Sequence, residues 1–476
     1  MSRARVGAAR ERARLSREER ADRGKALRAV VPRASHAEFE PGSGRSDPLT
    51  LLESQDEARV PELLPIRYGR MAVSPFTYFR GAALSMASDL ARTANSGLTV
   101  QCCGDAHLAN FGMFASPERR LVFDINDFDE TLPGPWEWDV KRLATSMEIA
   151  GRNNGYPGSV RRKIVIATVA AYRNAMREFA DRTVLEVWYA HGAAEVVRQQ
   201  FDPKLDETSR KRLNRSISKA QTKDHLGALS RFAGIENGEL KIIADPPLIV
   251  PAGQLTAPGT DTAEIANEMR GILRAYRRSL EPERRVLLDR YRFVEHARKV
   301  VGVGSVGTRS WMVLMIGDGT NDPLFLQAKE AGPSVLEEFV GRSEFDNAGR
   351  RVVVGQRLMQ AVSDIFLGWV RVKSAMDGRT RDFYVRQLRD WKGSAAIETM
   401  SPAAMRAYGE LCGWTLARAH ARSGDRIAIA AYLGSGDTFD YAVREFANAY
   451  ADQNDRDHAA LVEAIKRGRI RATAGV

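Results

Sequence analysis

The spacing of apolar residues divides the chain into a helical part, a strand-rich part and a second helical part. From Trp138 to about Leu240, apolar positions recur every three to four residues, which is the period of amphipathic helices. Between residues 299 and 390 this period gives way to short valine-rich alternating runs separated by glycine turns, which predict an antiparallel sheet. Helical spacing returns between residues 402 and 470. The pattern predicts a fold of the α+β class.

Two short strands are predicted before the first helical part, at residues 98–103 and 120–125. Gly104 and Asp105 follow the first strand directly, and Asn110 comes five residues after Asp105. The second strand ends in a segment with four acidic side chains, which are Asp124, Asp127, Asp129 and Glu130. Such a cluster repels itself unless cations or solvent offset its charge, so the two segments together indicate a metal site.

A carboxylate and an amide at this spacing can act on one phosphoryl group. Asp105 would orient or deprotonate the attacking hydroxyl, and Asn110 would hold a metal ion on the phosphates. Mg²⁺ needs a further hard oxygen ligand, which the acidic segment can supply. On a regular strand Asp124 and Asp127 point to opposite faces, so only one of them would face the loop. We prefer Asp127, with Asp124 as the alternative.

The segment from Cys103 to Asn110 resembles the His-Gly-Asp-x-His-x-x-Asn catalytic loop of aminoglycoside phosphotransferases and choline kinases, within the protein-kinase-like superfamily. Cys103 stands where the motif has its first histidine. The resemblance implies a metal-binding aspartate at the end of the next strand, and twelve residues later a second aspartate that braces the loop. Asp127 and Asp139 have this separation.

A wider resemblance rests on Arg80-Gly81, on Gly104-Asp105-Ala106-His107 and on Trp138-Asp139. With these motifs the chain is similar, over most of its length after residue 25, to an uncharacterised bacterial family known as domain of unknown function 2252. That resemblance implies the kinase-like fold and supplies no substrate.

The strand-rich part contains a second candidate motif. Gly302, Gly304 and Gly307 fit the pattern G-x-G-x-x-G between predicted strands at residues 299–303 and 311–316. A strand–turn–strand unit of this kind resembles the glycine-rich lid over the ATP phosphates of kinases.

The strand that follows the glycine motif ends at Lys329, and a predicted helix with Glu337 and Glu338 comes next. The resemblance implies that Lys329 pairs with the α- and β-phosphates and that Glu337, or alternatively Glu338, orients it. Further strands at residues 368–372 and 382–387 would complete a five-stranded small lobe. Residues 387–389 would then form the hinge that contacts adenine.

The order of these motifs is reversed relative to kinases, because the glycine motif and the lysine follow the catalytic loop by about 200 residues. Contacts rather than chain order define a domain, so our interpretation is a two-lobed kinase-like fold that is circularly permuted, or in which the small lobe is inserted late in the chain. Residues 1–45 would be a basic mobile arm with a possible helix from Glu11 to Ala29, 46–298 a helical large lobe, 299–395 a small β lobe, and 396–476 helices that pack on the large lobe. The helix that precedes the catalytic loop in kinases would correspond either to residues 75–90 or to residues 415–421.

The net charge of +11 is concentrated in residues 1–33, which hold 11 basic and four acidic residues. A nucleic acid could use such an arm, but the rest of the chain has no nucleic-acid-binding module, so we interpret it as solvated. No apolar run is long enough for a membrane span, and the N-terminus lacks the apolar stretch of a secretory signal. Three sparse cysteines, Cys102, Cys103 and Cys412, suit a reduced cytoplasmic protein.

These observations predict a phosphotransferase that depends on ATP and Mg²⁺ and acts on a hydroxyl of a small-molecule acceptor. Two alternatives stay open. A catalytically inactive kinase-like protein would bind nucleotide or act as a scaffold. A metal-dependent phosphoesterase would use Asp105 and His107 as metal ligands, although its further histidine motifs are missing from the sequence.

Overall fold

The computed structural model describes residues 15–475 apart from a few short segments. The segments left out are residues 195–202, 204–205, 223–224, 256–261, 320, 374–377 and 389–390. The described part is a mixed α+β structure with antiparallel sheets, as the apolar pattern predicted.

Within the described residues the α-helices are α1 (Arg17–Val30), α2 (Pro48–Glu53), α3 (Leu64–Ala72), α4 (Pro75–Gly81), α5 (Ala83–Leu90), α6 (Trp136–Asn153), α7 (Gly158–Asp181), α8 (Val184–Tyr189), α9 (Glu207–Gln221), α10 (His225–Phe232), α11 (Thr262–Arg277), α12 (Pro282–Leu288), α13 (Glu337–Val340), α14 (Ala348–Met359), α15 (Pro402–Ser423), α16 (Arg426–Leu433) and α17 (Thr438–Lys466).

The strands are β1 (Thr99–Cys102), β2 (Phe111–Ala115), β3 (Leu121–Ile125), β4 (Leu132–Pro135), β5 (Gly192–Ala193), β6 (Ala233–Glu236), β7 (Glu239–Ile242), β8 (Ile249–Pro251), β9 (Arg292–Lys299), β10 (Ser310–Ile316), β11 (Pro323–Ala331), β12 (Gly368–Val372), β13 (Arg381–Gln387) and β14 (Gly393–Ser394).

The largest sheet has six strands in the order β12-β13-β11-β10-β9-β8. Four of them, β10 to β13, lie where the alternation predicted strands. The strand before the glycine motif does not, because β9 ends at Lys299 and residues 300–309 form the turn. Val300, Val303 and Val306 are buried in this turn against the helices of residues 60–82. Their apolar character therefore reflects docking of the turn rather than a strand.

The two strands predicted at residues 98–103 and 120–125 belong to different sheets. β1 pairs with β4, whereas β3 pairs with β2 in a four-stranded sheet of order β14-β2-β3-β5. The candidate catalytic loop, residues 104–110, lies between β1 and β2 and so links the two sheets. The acidic segment leaves β3 and returns to the first sheet through β4.

The helical core is built around α7 and α15, which pack closely because α15 presents small residues to α7. A side chain at Gly409 would collide with Thr168, and one at Gly413 with the backbone of the same residue. Helix α17 packs on α6 and α7. Helices from residues 402–466 and from residues 136–181 thus share one core. No helix in the described ranges combines the length and the apolar character that a membrane crossing requires.

In the described part of the N-terminal segment, the helix that its sequence indicated is present as α1, and it packs on α16. Helix α1 starts at a capping box formed by Ser16 and Glu19. Arg20 binds Asp425 at 2.7 Å, and Arg28 donates to the carbonyl of Tyr432 at 2.8 Å. The basic residues of this stretch hold α1 against α16, while residues 1–14 lie outside the described part.

We expect Gly24→Ala to destabilise the protein although alanine normally favours a helix. A Cβ atom at Gly24 would lie 2.1 Å from the carbonyl oxygen of Ala428, so α1 and α16 would have to separate. Overpacking of this kind costs about 1–3 kcal/mol, which exceeds the usual helical gain of about 0.5–1 kcal/mol.

The matched control is Gly271→Ala in α11, where the nearest atom to the new Cβ would be a flexible arginine nitrogen 3.8 Å away. We expect that variant to be neutral or slightly stabilised. Urea unfolding of both variants decides the point, and a Gly24→Ala protein as stable as the wild type would contradict the packing described.

Candidate active site

One carboxylate holds the first residues of the loop between β1 and β2. Asp139, in the first turn of α6, accepts hydrogen bonds from the backbone N–H of Cys103 at 2.6 Å and of Gly104 at 3.0 Å. Gly104 has a φ of +83°, and a Cβ atom there would lie 2.3 Å from the carbonyl oxygen of Glu130. Only glycine fits this position. Asp139 thus lies where a loop brace was predicted.

Asp139 is itself fixed from behind by α15. His420 is buried and places its Nε2 atom 3.1 Å from an Asp139 oxygen. The other ring nitrogen of His420 lies 2.9 Å from the hydroxyl of Tyr172. Of the two helices considered for the position before the catalytic loop, α15 therefore contacts the brace of that loop.

Asp105 forms an ion pair with Arg142, whose Nε donates to Oδ1. Arg142 also donates to the carbonyl of Phe79 at 3.0 Å and lies over its ring, 4.4 Å from the centroid. The second oxygen of Asp105 is 3.7 Å from Nε2 of His107. Burial lowers the pKa of His107 to about 3, so this ring is neutral near pH 7. Arg142, rather than His107, orients Asp105.

Asn110 and Asp127 are brought together by the backbone. The amide nitrogen of Asn110 donates to the carbonyl of Asp105 at 2.8 Å, which leaves the amide oxygen for another partner. The N–H of Asn126 donates to the carbonyl of Asn110 at 2.9 Å and joins the loop to the acidic segment. Asp127 follows immediately, and its side chain is 29% exposed.

Asp124, the alternative metal ligand, is engaged elsewhere. Its side chain is buried and forms an ion pair with Arg418 of α15. It also accepts the N–H of Ile125 at 2.8 Å. Asp124 thus points toward the helical core, as expected if it and Asp127 lie on opposite faces of the strand.

Lys329 lies in the middle of the large sheet and reaches the acidic segment. Its ammonium group donates to Asp129 at 2.6 Å and lies 3.7 Å from Asp127. The hydroxyl of Tyr384 on the neighbouring strand donates to the other oxygen of Asp129 at 2.6 Å. The ammonium group is nearly inaccessible to solvent, so these carboxylates provide its charge compensation.

The pKa values follow from these charges. Burial by itself would lower the pKa of Lys329, but Asp127 and Asp129 raise it above its ordinary value. Burial by itself would raise the pKa of Asp127, but Lys329, Arg386 and Lys392 outweigh that effect and hold it below the ordinary value. Lys329 and Asp127 are therefore both charged near neutral pH.

The predicted partner of Lys329, Glu337 or Glu338, is not brought to it. Glu337 accepts the N–H of Ser334 at 3.2 Å instead, and within the described residues neither glutamate lies within ion-pair distance of Lys329. The longer helix on this side of the sheet is α14, which carries no acidic residue. Its Arg351 donates to the carbonyls of Thr131 and Asp129 and so anchors the acidic segment.

Asp129 thus occupies the position for which the sequence suggested a glutamate. The signal available in the sequence was membership of the acidic cluster, which does not distinguish Asp129 from its neighbours. Arg142 was also missed, although it follows Asp139 by three residues and so lies on the same side of α6.

The glycine motif forms a turn that is fastened to the large lobe. Arg70 donates to the carbonyl of Gly302 at 2.6 Å, and Arg59 donates to that of Gly304 at 2.8 Å. Gly302 and Gly307 have φ values of +69° and +90°, which favour glycine. A Cβ atom at Gly304 would lie 2.9 Å from the carbonyl oxygen of Arg80. Backbone conformation or close packing therefore explains why each of these three positions is a glycine.

A cleft of about 440 Å³ lies where these elements meet. It is lined from the catalytic loop by Asn110, from the acidic segment by Asp127, from the glycine turn by Gly302, and from the large sheet by Lys329. Polar residues complete the wall, among them Arg80, Ser305, Gln356, Gln360, Asp364, Arg386, Gln387 and Lys392.

Not every predicted site residue belongs to this cleft. Among the described residues that line it, Asp105, Gly304, Gly307, Glu337 and Asp124 are missing. Asp105 is turned toward Arg142, and the two glycines pack against Arg80 and Arg59. Of the predicted hinge, Gln387 and Leu388 reach the cleft, and Arg389 lies outside the described residues.

The donor set suits Mg²⁺ better than a transition metal. In the part of the chain that the structure describes, no three His, Cys, Asp or Glu side chains form a metal-binding group. Asn110 and Asp127 offer one amide oxygen and one carboxylate, and Mg²⁺ commonly takes its remaining ligands from water and phosphate oxygens. These residues could hold such an ion together with a nucleotide.

Residues 59–464 match the model of a family described as an uncharacterized protein conserved in bacteria, domain of unknown function 2252, and the chain belongs to that family. No curated protein and no solved structure matches the chain. The matched range contains the catalytic loop, the glycine turn and the residues of the cleft.

We expect Lys329 and Asp129 to be strongly coupled in stability. Lys329→Met leaves Asp127 and Asp129 as neighbouring carboxylates without their cation, and removal of one partner of a buried ion pair costs about 3–5 kcal/mol. In a double-mutant cycle with Asp129→Asn, urea unfolding should give a coupling free energy of about 1–3 kcal/mol.

Arg277 and Asp289 form the control pair, because they make a similar contact in which both side chains are substantially exposed. We expect no measurable coupling between Arg277→Gln and Asp289→Asn. Equal coupling in the two cycles would contradict the interpretation of Lys329 and Asp129 as a buried ion pair.

Proposed function

We propose that this protein is a phosphotransferase that uses Mg²⁺ and ATP to phosphorylate a hydroxyl group of a small-molecule acceptor. The observation that supports this most is that a single cleft contains Asn110, Asp127 and Lys329. The first two come from the segment that resembles a kinase catalytic loop and from the strand after it. Lys329 comes from a strand that follows a glycine turn, about 200 residues later.

A kinase-like fold with permuted chain order is part of this proposal. Along the chain, the region of the large sheet has a glycine turn between β9 and β10, then β11 with Lys329, helix α14, and the strands β12 and β13. The resemblance to kinases implies this order for a small lobe. Helix α15 supports the catalytic loop through His420 and Asp139, yet it comes from the end of the chain. These contacts are compatible with a small lobe and a supporting helix that both come after the loop in the chain.

The residues would divide the reaction between them as follows. Asn110 and Asp127 hold the metal ion, Lys329 compensates phosphate charge, and Asp139 keeps the loop in place. When bound, Mg·ATP supplies the phosphoryl group. Asp105 orients the acceptor hydroxyl and takes its proton while the acceptor oxygen bonds to phosphorus and the bond to the departing ADP oxygen breaks. Arg142 holds Asp105 in place for this role through their ion pair.

The two alternatives are less well supported. A dinuclear phosphoesterase would need His107 as a ligand, but that ring is buried and its Nδ1 atom has no hydrogen-bond partner among the described residues. An inactive scaffold would tolerate the loss of site residues, whereas Asp105, Asn110, Asp127 and Lys329 are all present. We therefore favour the phosphotransferase.

The proposal predicts that Mg·ATP stabilises the wild-type protein. A ligand present at 100 times its Kd adds about 2.7 kcal/mol to the free energy of unfolding, which raises the melting temperature by several degrees. We expect a much smaller shift for Lys329→Met and for Asp127→Asn, because they lose phosphate and metal contacts. Lys241→Met, an exposed lysine that pairs with Glu239, should keep the full shift.

Asp105→Asn separates binding from chemistry in the same experiment. It should retain the Mg·ATP shift but release ADP from ATP at least about 100-fold more slowly, the lower range for loss of a general base. A wild-type protein without any shift at millimolar Mg·ATP would refute the nucleotide site. Loss of a bound transition metal in Asp105→Asn would instead support the phosphoesterase.

A further inference from the structure

Arg80 is a cation of the cleft whose guanidinium group lies over the ring of Phe76, 5.9 Å from its centroid, and forms no ion pair with the described part of the chain. Arg80 is the penultimate residue of α4 and lines the cleft together with Asn110, Asp127 and Lys329. Within the described residues its guanidinium group forms no ion pair within 4.0 Å, and its Nε atom is buried without a hydrogen-bond partner. An arginine in such a position is costly unless something compensates it.

The other arginine and lysine side chains near the reacting groups are engaged. Lys329 is bound by Asp129, and Arg142 by Asp105. Arg386 donates to Gln327 at 3.3 Å and to the carbonyl of Asn126 at 3.1 Å. Arg80 differs from all three, because the carboxylates that act on it, Asp105, Glu398 and Asp127, do so from beyond contact distance.

The location of Arg80 is fixed by its backbone. Its carbonyl oxygen lies against Gly304, where a Cβ atom would approach it to 2.9 Å, so the glycine turn rests directly on this residue. One residue earlier, Phe79 receives a hydrogen bond from Arg142, the partner of Asp105. Arg80 therefore stands between the glycine turn, the catalytic loop and Asp127.

We propose that Arg80 binds the terminal phosphoryl group of the nucleotide and compensates the charge on its oxygens during transfer. This inference rests on the proposed function and adds a residue to it. A guanidinium group can donate two parallel N–H bonds to a phosphoryl group, and it keeps its own proton throughout. The site that Arg80 offers lies on the side of Asp105, where the phosphoryl group meets the acceptor.

The test compares nucleotides with and without the terminal phosphate. Isothermal titration calorimetry measures Kd for Mg·ADP and for Mg²⁺ with a non-hydrolysable ATP analogue, on the wild type and on Arg80→Gln. We expect Arg80→Gln to weaken binding of the analogue by roughly 10- to 100-fold, the range for lost hydrogen bonds between charged groups. Binding of Mg·ADP should change by less than about threefold, because ADP lacks the group that Arg80 contacts.

Two further variants exclude a general effect on folding or charge. Arg80→Lys keeps the charge but loses the planar fork, so it should lose less affinity for the analogue than Arg80→Gln does. Arg277→Gln removes an exposed arginine and should leave both Kd values unchanged. A purely structural role for Arg80 would weaken Mg·ADP and the analogue equally, and that result would overturn the proposal, as would no change in either Kd.

A phosphate on the acceptor is the other source of the same chemistry. Inorganic phosphate titrated into protein saturated with Mg²⁺ and the ATP analogue reports such a subsite, because the terminal position is already filled. We expect Arg80→Gln to leave this binding unchanged. Loss of phosphate binding together with an unchanged ratio of the two nucleotide Kd values would assign Arg80 to the acceptor and overturn the proposal. Wild-type protein that binds neither nucleotide would refute the proposed function itself.

Discussion

The ion pair between Lys329 and the acidic segment holds the two halves of the cleft together. It joins residues 200 positions apart in the chain, and Tyr384 fixes the carboxylate of Asp129 from the adjacent strand. Without the lysine, Asp127 and Asp129 would repel one another, and without the carboxylates the lysine would be a buried uncompensated cation. The cleft can exist in this form only because each group offsets the cost of the other.

The loop on the opposite wall depends on a second set of buried contacts. Asp139 holds the backbone at Gly104, His420 holds Asp139, and Arg142 holds Asp105. The supporting residues come from α6 and α15, which lie far apart in the chain but pack within the same helical core. Arg80 lies beside this network, and within the described residues its guanidinium group forms no ion pair.

The sequence was sufficient for the α+β class, for four strands of the large sheet and for singling out Asp139, which accepts hydrogen bonds from the loop backbone. These features follow from local periodicity or from a motif with fixed spacing.

The sequence was insufficient where tertiary contacts decide the structure. Valines before the glycine turn were read as a strand, although they are buried against the large lobe. Asp129 was overlooked as the partner of Lys329 in favour of Glu337, because the path of the acidic segment depends on Arg351 and Ser334. The sequence could not show that Arg80 forms no ion pair within the described residues, because that depends on which side chains the fold brings near it.

A crystal structure of the protein with Mg²⁺ and a non-hydrolysable ATP analogue tests the central claim most directly. The account predicts a metal ion about 2.1 Å from oxygens of Asn110 and Asp127, with phosphate oxygens in contact with Lys329. Nucleotide bound outside this cleft, or a metal ion coordinated by Asp124 beside Arg418, would contradict it.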